Sequence, residues 1–243
     1  MTEDNQYTPP PGVLVPDSAA PAVPVPPPPP GFPAPNFSPT LPANGFATAA
    51  IALTGAYTLF AIFSALTVSS TVERTKEALE NKETATGGLD TVLSAVSSLV
   101  GITAFVFLAL WMARIRSNRT ALGDTPGGPP SVEWWGWFIP IANFVLPLLG
   151  MRAISRKAVG WGLLLAWWLP FCLVWLIGPI TASATFRAID FSTGELSNPD
   201  ALDSMIPLTY ASATALVVAW VFLVVIIRRT TARHIEVAKA TAS

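Results

Sequence analysis

Long uncharged apolar runs alternate with shorter polar segments along the chain. Four of these runs reach the length of a membrane span: Phe46–Ser69, Val92–Ala113, Val159–Ala182 and Ile206–Ile227. A bilayer core about 30 Å thick needs about 20 helical residues to cross it. The runs are apolar on every side, whereas a helix at the surface of a soluble protein keeps a polar face. The pattern therefore predicts an all-α integral membrane protein with a bundle of four transmembrane helices.

A fifth apolar run, Trp134–Met151, is interrupted. Its 18 residues carry no charge, but they include Pro140, Asn143 and Pro147. Each proline removes a backbone hydrogen bond, and the asparagine amide needs hydrogen-bond partners of its own. A straight helix of this length would reach about 27 Å, slightly less than the bilayer core. We expect a re-entrant or tilted segment buried against the other helices, with a fifth span as the alternative.

The distribution of Lys and Arg predicts the orientation of the last helix but not the number of crossings. With four crossings, the side that holds both termini and residues 114–158 carries 10 Lys and Arg, against 4 on the other side. With five crossings the count is again 10 against 4. The positive-inside rule therefore predicts a cytoplasmic C-terminus in both cases, and it leaves the side of the N-terminal tail open.

Proline dominates the first part of the chain, where residues 1–45 contain 15 of the 24 prolines. Because proline lacks an amide donor and fixes φ, we expect a disordered tail with polyproline II character. The transmembrane domain is then expected at residues 46–236, followed by a short tail at 237–243. A partner with a groove lined by aromatic side chains could bind the tail. The residues expected to bind it are Pro26, Pro27, Pro28, Pro29, Pro30 and Phe32. The alternative is a semi-rigid tether without a partner.

The composition disfavours most kinds of catalysis and coupled transport. Only 12% of the residues are charged, about half the usual share in soluble domains. None of the four predicted spans contains Asp, Glu, Lys, Arg or His, which disfavours an ion-coupled carrier. Cys172 and His234 are the only strong candidates for N or S metal ligands, and they lie on different elements, so we expect no metal and no cofactor. We interpret His234 as a solvated surface group rather than a catalytic residue. A net charge of −1 gives no reason to expect nucleic acid as a partner.

Arginines on both sides of the interrupted run suggest one binding site. If the second helix continues past Ala113, Arg114 and Asn118 lie on one face, and Arg152 follows the interrupted run. Guanidinium groups suit phosphate. We therefore hypothesise a pocket for an anionic lipid headgroup or phosphate, formed by Arg114, Asn118 and Arg152 and floored by Trp135 and Trp137. The alternative is that these arginines only set the topology and reach lipid phosphates nonspecifically.

Several motifs follow one another in a distinctive order. The second span ends in W-M-x-R-x-R-x-N-x-x-A-L-G (Trp111–Gly123), and the interrupted run contains W-G-W-F-I-P-I-A-N-x-x-x-P (Trp135–Pro147). The Trp167–Trp168 pair and a basic R-R-x-T-x-R segment (Arg228–Arg233) come later. In these features the chain resembles the uncharacterised actinobacterial membrane proteins known as domain of unknown function 4328, over about residues 46–236. The resemblance implies a multi-spanning protein of a bacterial inner membrane, and it implies no activity, cofactor or catalytic residue.

Together these features predict a non-enzymatic membrane protein. We expect an accessory or scaffolding component of a membrane complex, located in the cytoplasmic membrane of a bacterium and in contact with anionic lipids. Its expected partners are membrane lipids and other membrane proteins or further copies of itself, besides a proline-binding partner for the tail. The alternative function is an uncoupled transport component for a lipid or small molecule, with the interrupted run as its gate.

Overall fold

A computed structural model describes residues 42–81, 89–124, 126–129, 131–139, 141–155, 158–190 and 195–242. The predicted partner-binding prolines, Pro26–Pro30, and Phe32 lie outside the described residues. So does Pro140 of the interrupted run.

Four long helices dominate the described part of the chain. They are α1 (Asn44–Glu80), α2 (Leu89–Ala121), α5 (Trp161–Ala188) and α7 (Met205–Ala242). Each is long and apolar enough to cross a membrane, which confirms the predicted all-α fold with four candidate spans. Each helix also extends beyond its apolar run. The 37 residues of α1 reach about 56 Å, nearly twice the thickness of a bilayer core.

The long helices pack side by side in the order α2, α1, α7, α5. Two glycines of α1 and α2 allow close contact, because each lies under an aromatic ring of the neighbouring helix. A Cβ atom at Gly55 would lie 3.1 Å from the ring of Trp220, and one at Gly101 would lie 3.0 Å from the ring of Tyr57. The indole nitrogen of Trp220 also donates to the carbonyl oxygen of Ile51 at 3.3 Å.

Two clusters of buried side chains occupy the two ends of the bundle. The larger cluster joins the start of α1, the second half of α2, the start of α5 and the second half of α7, as shown by Ala47, Trp111, Trp167 and Ile226. We name this the basic end, since Arg114, Arg116, Arg119, Arg152, Arg228, Arg229 and Arg233 lie there. The smaller cluster is at the opposite end and contains Val68, Val72, Ala188 and Leu202.

The connections between helices at the opposite end are shorter than the one from α2 to α5 at the basic end. Helix α5 continues to Ala188, six residues past the predicted end of its span, and leads into a hairpin of β1 (Ile189–Asp190) and β2 (Glu195–Leu196). The strands are antiparallel, with Ile189 opposite Leu196. The short helix α6 (Pro199–Asp203) then leads into α7.

The interrupted run forms no spanning helix. It is divided among α3 (Val132–Trp135), a 3₁₀ turn (Ala142–Phe144) and α4 (Leu146–Ser155). Helix α4 contacts α2, α5 and α7. The connection therefore leaves α2 at the basic end and returns to α5 at the same end, as a re-entrant segment does.

Candidate functional site at the basic end

The re-entrant segment, residues 132–155, descends along α2 and comes back. At its start, Glu133 accepts a hydrogen bond from Nε of Arg116 at 3.1 Å. At its tip, Phe138 packs edge-on against Phe105 with ring centroids 5.7 Å apart. Phe105 precedes Arg116 by 11 residues of α2, which is about 16 Å along the helix axis. On the way back, the carbonyl oxygens of Ala153 and Ile154 accept hydrogen bonds from Arg119.

Tryptophan side chains donate hydrogen bonds to backbone carbonyl oxygens of the interrupted helices. The indole of Trp137 donates to the carbonyl oxygen of Glu133 at 3.1 Å, and the indole of Trp168 donates to that of Phe144 at 3.0 Å. Non-helical backbone at membrane depth requires such partners. The side chain of Asn143 is buried, and its Oδ1 has no hydrogen-bond partner among the described residues.

The two sides of the re-entrant segment differ in burial: one packs against α5, and the other is exposed. On the inner side, Trp137 packs edge-on against Trp168 and Phe171, with centroid distances of 5.9 and 6.0 Å. On the outer side, Phe138 is 73% exposed and Ile141 is 86% exposed. Large apolar side chains exposed at the level of Phe105 fit a segment that faces lipid.

Two arginines of the basic end lie over aromatic rings. The guanidinium of Arg114 is 5.8 Å from the ring centroid of Phe46 in α1. That of Arg152 is 5.1 Å from the ring of Trp161, and its Nη1 donates to the carbonyl oxygen of Val159 at 2.7 Å.

These contacts bear on the five residues of the hypothesised phosphate pocket. Arg114 faces α1, Asn118 faces α7, and Arg152 faces the start of α5. Trp135 is partly exposed, whereas Trp137 is packed inside the segment. The structure thus distributes them around the basic end, and their union in one pocket stays a prediction.

His234 is where the sequence interpretation was wrong. Its side chain is buried rather than solvated, and its Nε2 lies 3.0 Å from the side-chain nitrogen of Asn118. Nearby, the indole of Trp111 donates to Oγ1 of Thr231 at 3.0 Å. Burial, together with the positive charge of Arg119, lowers the pKa of His234 below its usual value. The polar positions Thr231 and His234, three apart on one helix, were a signal that this side of α7 faces polar partners.

A cavity of about 390 Å³ opens beside His234, between α2, α4 and α7. Arg119 is held there by Asp124, with Nε 2.9 Å from the carboxylate, and by two carbonyl oxygens of α4. The hydroxyl of Thr230 is buried and has no partner among the described residues. The polar members of the lining are Arg119, Asp124, Ser155, Thr230, Arg233 and His234.

A second cavity lies on the side of the bundle, between α5 and α7. Its volume is about 750 Å³, and nearly all of its lining is apolar. Pro170 and Cys172 line it from α5, and Tyr210 and Thr214 line it from α7.

Residues 74–232 match the family described as domain of unknown function, DUF4328. The chain belongs to this family. The match begins within α1 and includes α2, the re-entrant segment, α5 and most of α7, so the resemblance seen in the motifs is confirmed. It ends two residues before His234. No curated protein and no solved structure matches the chain. Family membership therefore gives no activity for this chain.

Proposed function

We propose that the protein is a non-enzymatic accessory or scaffolding component of the bacterial cytoplasmic membrane that contacts anionic lipids through its basic end. The observation that supports this most is the position of Arg114 and Arg152 over aromatic rings, beside a re-entrant segment with an exposed apolar side. Positive-inside counting supports placing the basic end in the cytoplasm.

The geometry of Arg114 suits a lipid phosphate. Its guanidinium lies against Phe46 and has no hydrogen-bond partner among the described residues. Arg228 and Arg229, at the end of the apolar run of α7, are exposed. A guanidinium on an aromatic ring is held in place without using its donors, which then match phosphate oxygens.

The large uncovered surface of the spans supports an accessory role. In the most apolar 18-residue stretch of each helix, only 17% of the residues of α1 and of α2 are buried, and 22% of those of α5. Lipids or helices of other membrane proteins would cover the rest. The absence of ionisable residues from the predicted spans also favours a structural role over coupled transport.

Lipid contact can be tested with the full-length protein in nanodiscs that contain either phosphatidylcholine alone or phosphatidylcholine with cardiolipin. We expect cardiolipin to raise the thermal unfolding temperature of the wild type, and Arg114→Gln and Arg152→Gln to reduce this rise. Arg187→Gln is the matched control, because Arg187 is an exposed arginine at the opposite end. An equal reduction in all three variants would contradict contact through the basic end.

The accessory role has its own test. The protein is extracted in mild detergent and its mass is measured by light scattering. We expect a complex larger than one chain, formed by copies of itself or by defined membrane proteins. A monomer without any co-purifying protein would contradict a scaffolding role.

The alternative, an uncoupled transport component, is favoured by the lateral apolar cavity between α5 and α7. Its position beside Tyr210 and Thr214 would suit an acyl chain. The test is movement of a fluorescent lipid between the leaflets of proteoliposomes. Transport by the wild type that Tyr210→Trp blocks would favour this function over the first.

A further inference from the structure

We propose that the cavity between α2, α4 and α7 binds a phosphate ester, with Thr230, His234 and Arg233 as hydrogen-bond donors. This site is distinct from the lipid contact at Arg114 and Arg152, and it goes beyond the proposed function. None of the residues hypothesised from the sequence lines the cavity.

The hydroxyl of Thr230 is the first sign of a missing ligand. Its residue is only 2% exposed, and Oγ1 has no hydrogen-bond partner among the described residues. Thr209 and Thr241 on the same helix behave differently, because each donates to the carbonyl oxygen four residues before it. A buried hydroxyl normally has a partner. A ligand in the cavity would provide one.

His234 offers a second donor to the cavity. With the amide nitrogen of Asn118 donating, Nε2 of His234 carries a lone pair, and the proton of a neutral imidazole is on Nδ1. The lowered pKa of His234 keeps the ring neutral at pH 7. Nδ1–H is then free to donate to an oxygen of a ligand, since no described residue accepts a hydrogen bond from it.

The charge of the lining favours an anion. Arg119 and Arg233 contribute two positive charges, and Asp124 contributes one negative charge. Arg119 is already neutralised by Asp124 and by carbonyl oxygens of α4. Arg233 pairs with Glu236 at 3.2 Å, but both side chains are more than half exposed, and such surface pairs are weak. Arg233 can therefore turn to a phosphate at little cost.

The remaining lining is apolar, which favours a phosphate ester over inorganic phosphate. The carbon skeleton of the ester would contact Ile115, Leu122, Ile154 and Val237. A cavity of about 390 Å³ has room for a phosphate and a small organic group. The ester can come from the headgroup of a lipid or from a soluble metabolite.

Two probes, each tested on the full-length protein, distinguish a lipid headgroup from a soluble metabolite as the source of the ester. The first probe is phosphatidylglycerol in nanodiscs, and the lipid retained after transfer to the gas phase is measured by native mass spectrometry. The second is glycerol 3-phosphate, which is titrated calorimetrically into nanodiscs of phosphatidylcholine. We expect one probe to bind, and the binding probe identifies the source.

Thr230→Val keeps the shape of the side chain and removes the donor. We expect it to weaken binding of the probe about tenfold, the usual effect of losing one hydrogen bond to a charged group. Thr209→Val, on the same helix but away from the cavity, is the matched control and should leave binding unchanged. Arg233→Gln, at an exposed position, should weaken binding as well and gives a second test should Thr230→Val fail to fold.

Binding of neither probe to the wild type, or equal losses in Thr230→Val and Thr209→Val, would overturn the proposal. Arg114→Gln separates the two functional proposals. If this variant loses its stabilisation by cardiolipin but binds the probe normally, the cavity is a separate site. If instead Arg114→Gln loses binding of the probe while Thr230→Val binds it normally, the proposed site in the cavity is wrong and the lipid contact at Arg114 is supported.

Discussion

Asn118 and His234 are hydrogen-bonded to each other inside the helix bundle, although 116 residues separate them in the chain. The side-chain nitrogen of Asn118 lies 3.0 Å from Nε2 of His234, and both side chains are buried. Together with the bond from Trp111 to Thr231, this contact joins α2 to α7 at the basic end. Helix α7 otherwise packs mainly against α1 and α5, so these polar pairs supply direct side-chain contacts between α2 and α7 at this end.

We predict that Asn118→Leu destabilises the protein by about 1–3 kcal/mol, because it leaves the buried imidazole nitrogen of His234 without its partner. His234→Leu should cost a similar amount, and the double variant should cost clearly less than the sum. Unfolding in mixed micelles with increasing SDS measures all three. Thr120→Ala, at an exposed position of α2, is the control. Additive losses would show that the two side chains do not interact.

Stability should fall when the pH is lowered through the range in which His234 titrates. The folded state lowers the pKa of this residue below 6.5, so the unfolded chain takes up the proton first. The stabilisation by the neutral ring is therefore present above pH 6.5 and is lost as the pH falls from 6.5 toward the lower, folded pKa. The charged groups around it are Arg119, Asp124, Arg233 and Glu236. Unfolding temperatures between pH 7.5 and 5.5 should decline in the wild type and decline less in His234→Gln; parallel curves would contradict this.

The buried ion pair between Arg116 and Glu133 should matter far more than the exposed pair between Lys76 and Asp203. Nε of Arg116 is 3.1 Å from the carboxylate of Glu133, and the two side chains are only 14% and 6% exposed. Glu133→Gln leaves the arginine charge buried and unpaired, which typically costs about 3–5 kcal/mol. Asp203→Asn breaks a pair in which the side chain of Asp203 is 50% exposed. The expected loss of stability is about 0–1 kcal/mol. The same SDS titration compares them, and equal losses would show that burial does not strengthen the first pair.

Much of the fold could be predicted because the length of an apolar run nearly determines a membrane helix. Even the continuation of α1 into its polar part, to Glu80, was predictable from Glu73, Lys76 and Glu80 at helical spacing. The hairpin of Ile189 and Leu196 was not, since it consists of two residue pairs and depends on tertiary contacts.

The candidate site was predictable only in part, for a related reason. The helical spacing showed that Asn118 shares a face with Arg114, but it could not show that the side chain of Asn118 meets His234 of α7. A helical pattern tells which residues share a face. The pattern does not reveal the order in which the helices pack, which is α2, α1, α7, α5. This order decides which helix faces meet.

Gly136 should be essential for the re-entrant segment. A Cβ atom there would lie 2.6 Å from the carbonyl oxygen of Val132 and 3.1 Å from Cβ of Leu146, so α3 and the start of α4 would have to separate. We expect Gly136→Ala to cost about 1–3 kcal/mol by overpacking. Gly160→Ala is the matched control, because a Cβ at Gly160 meets nothing within 4 Å. Thermal unfolding in detergent measures both, and a Gly136→Ala protein as stable as the control would show that the turn tolerates a side chain.

The re-entrant path predicts that both ends of the segment are on the same side of the membrane. Single cysteines are placed in a Cys172→Ala background at Ser131, Gly160 and Thr241, near the basic end, and at Glu80, at the opposite end; all four positions are exposed. If the four long helices cross the membrane and residues 132–155 do not, a membrane-impermeant maleimide should label the first three from one side of the membrane and Glu80→Cys from the other. Intact cells and inverted vesicles provide the two sides. If Ser131→Cys and Gly160→Cys were labelled from opposite sides, the segment would be a fifth span, and the N-terminal tail would lie outside the cell.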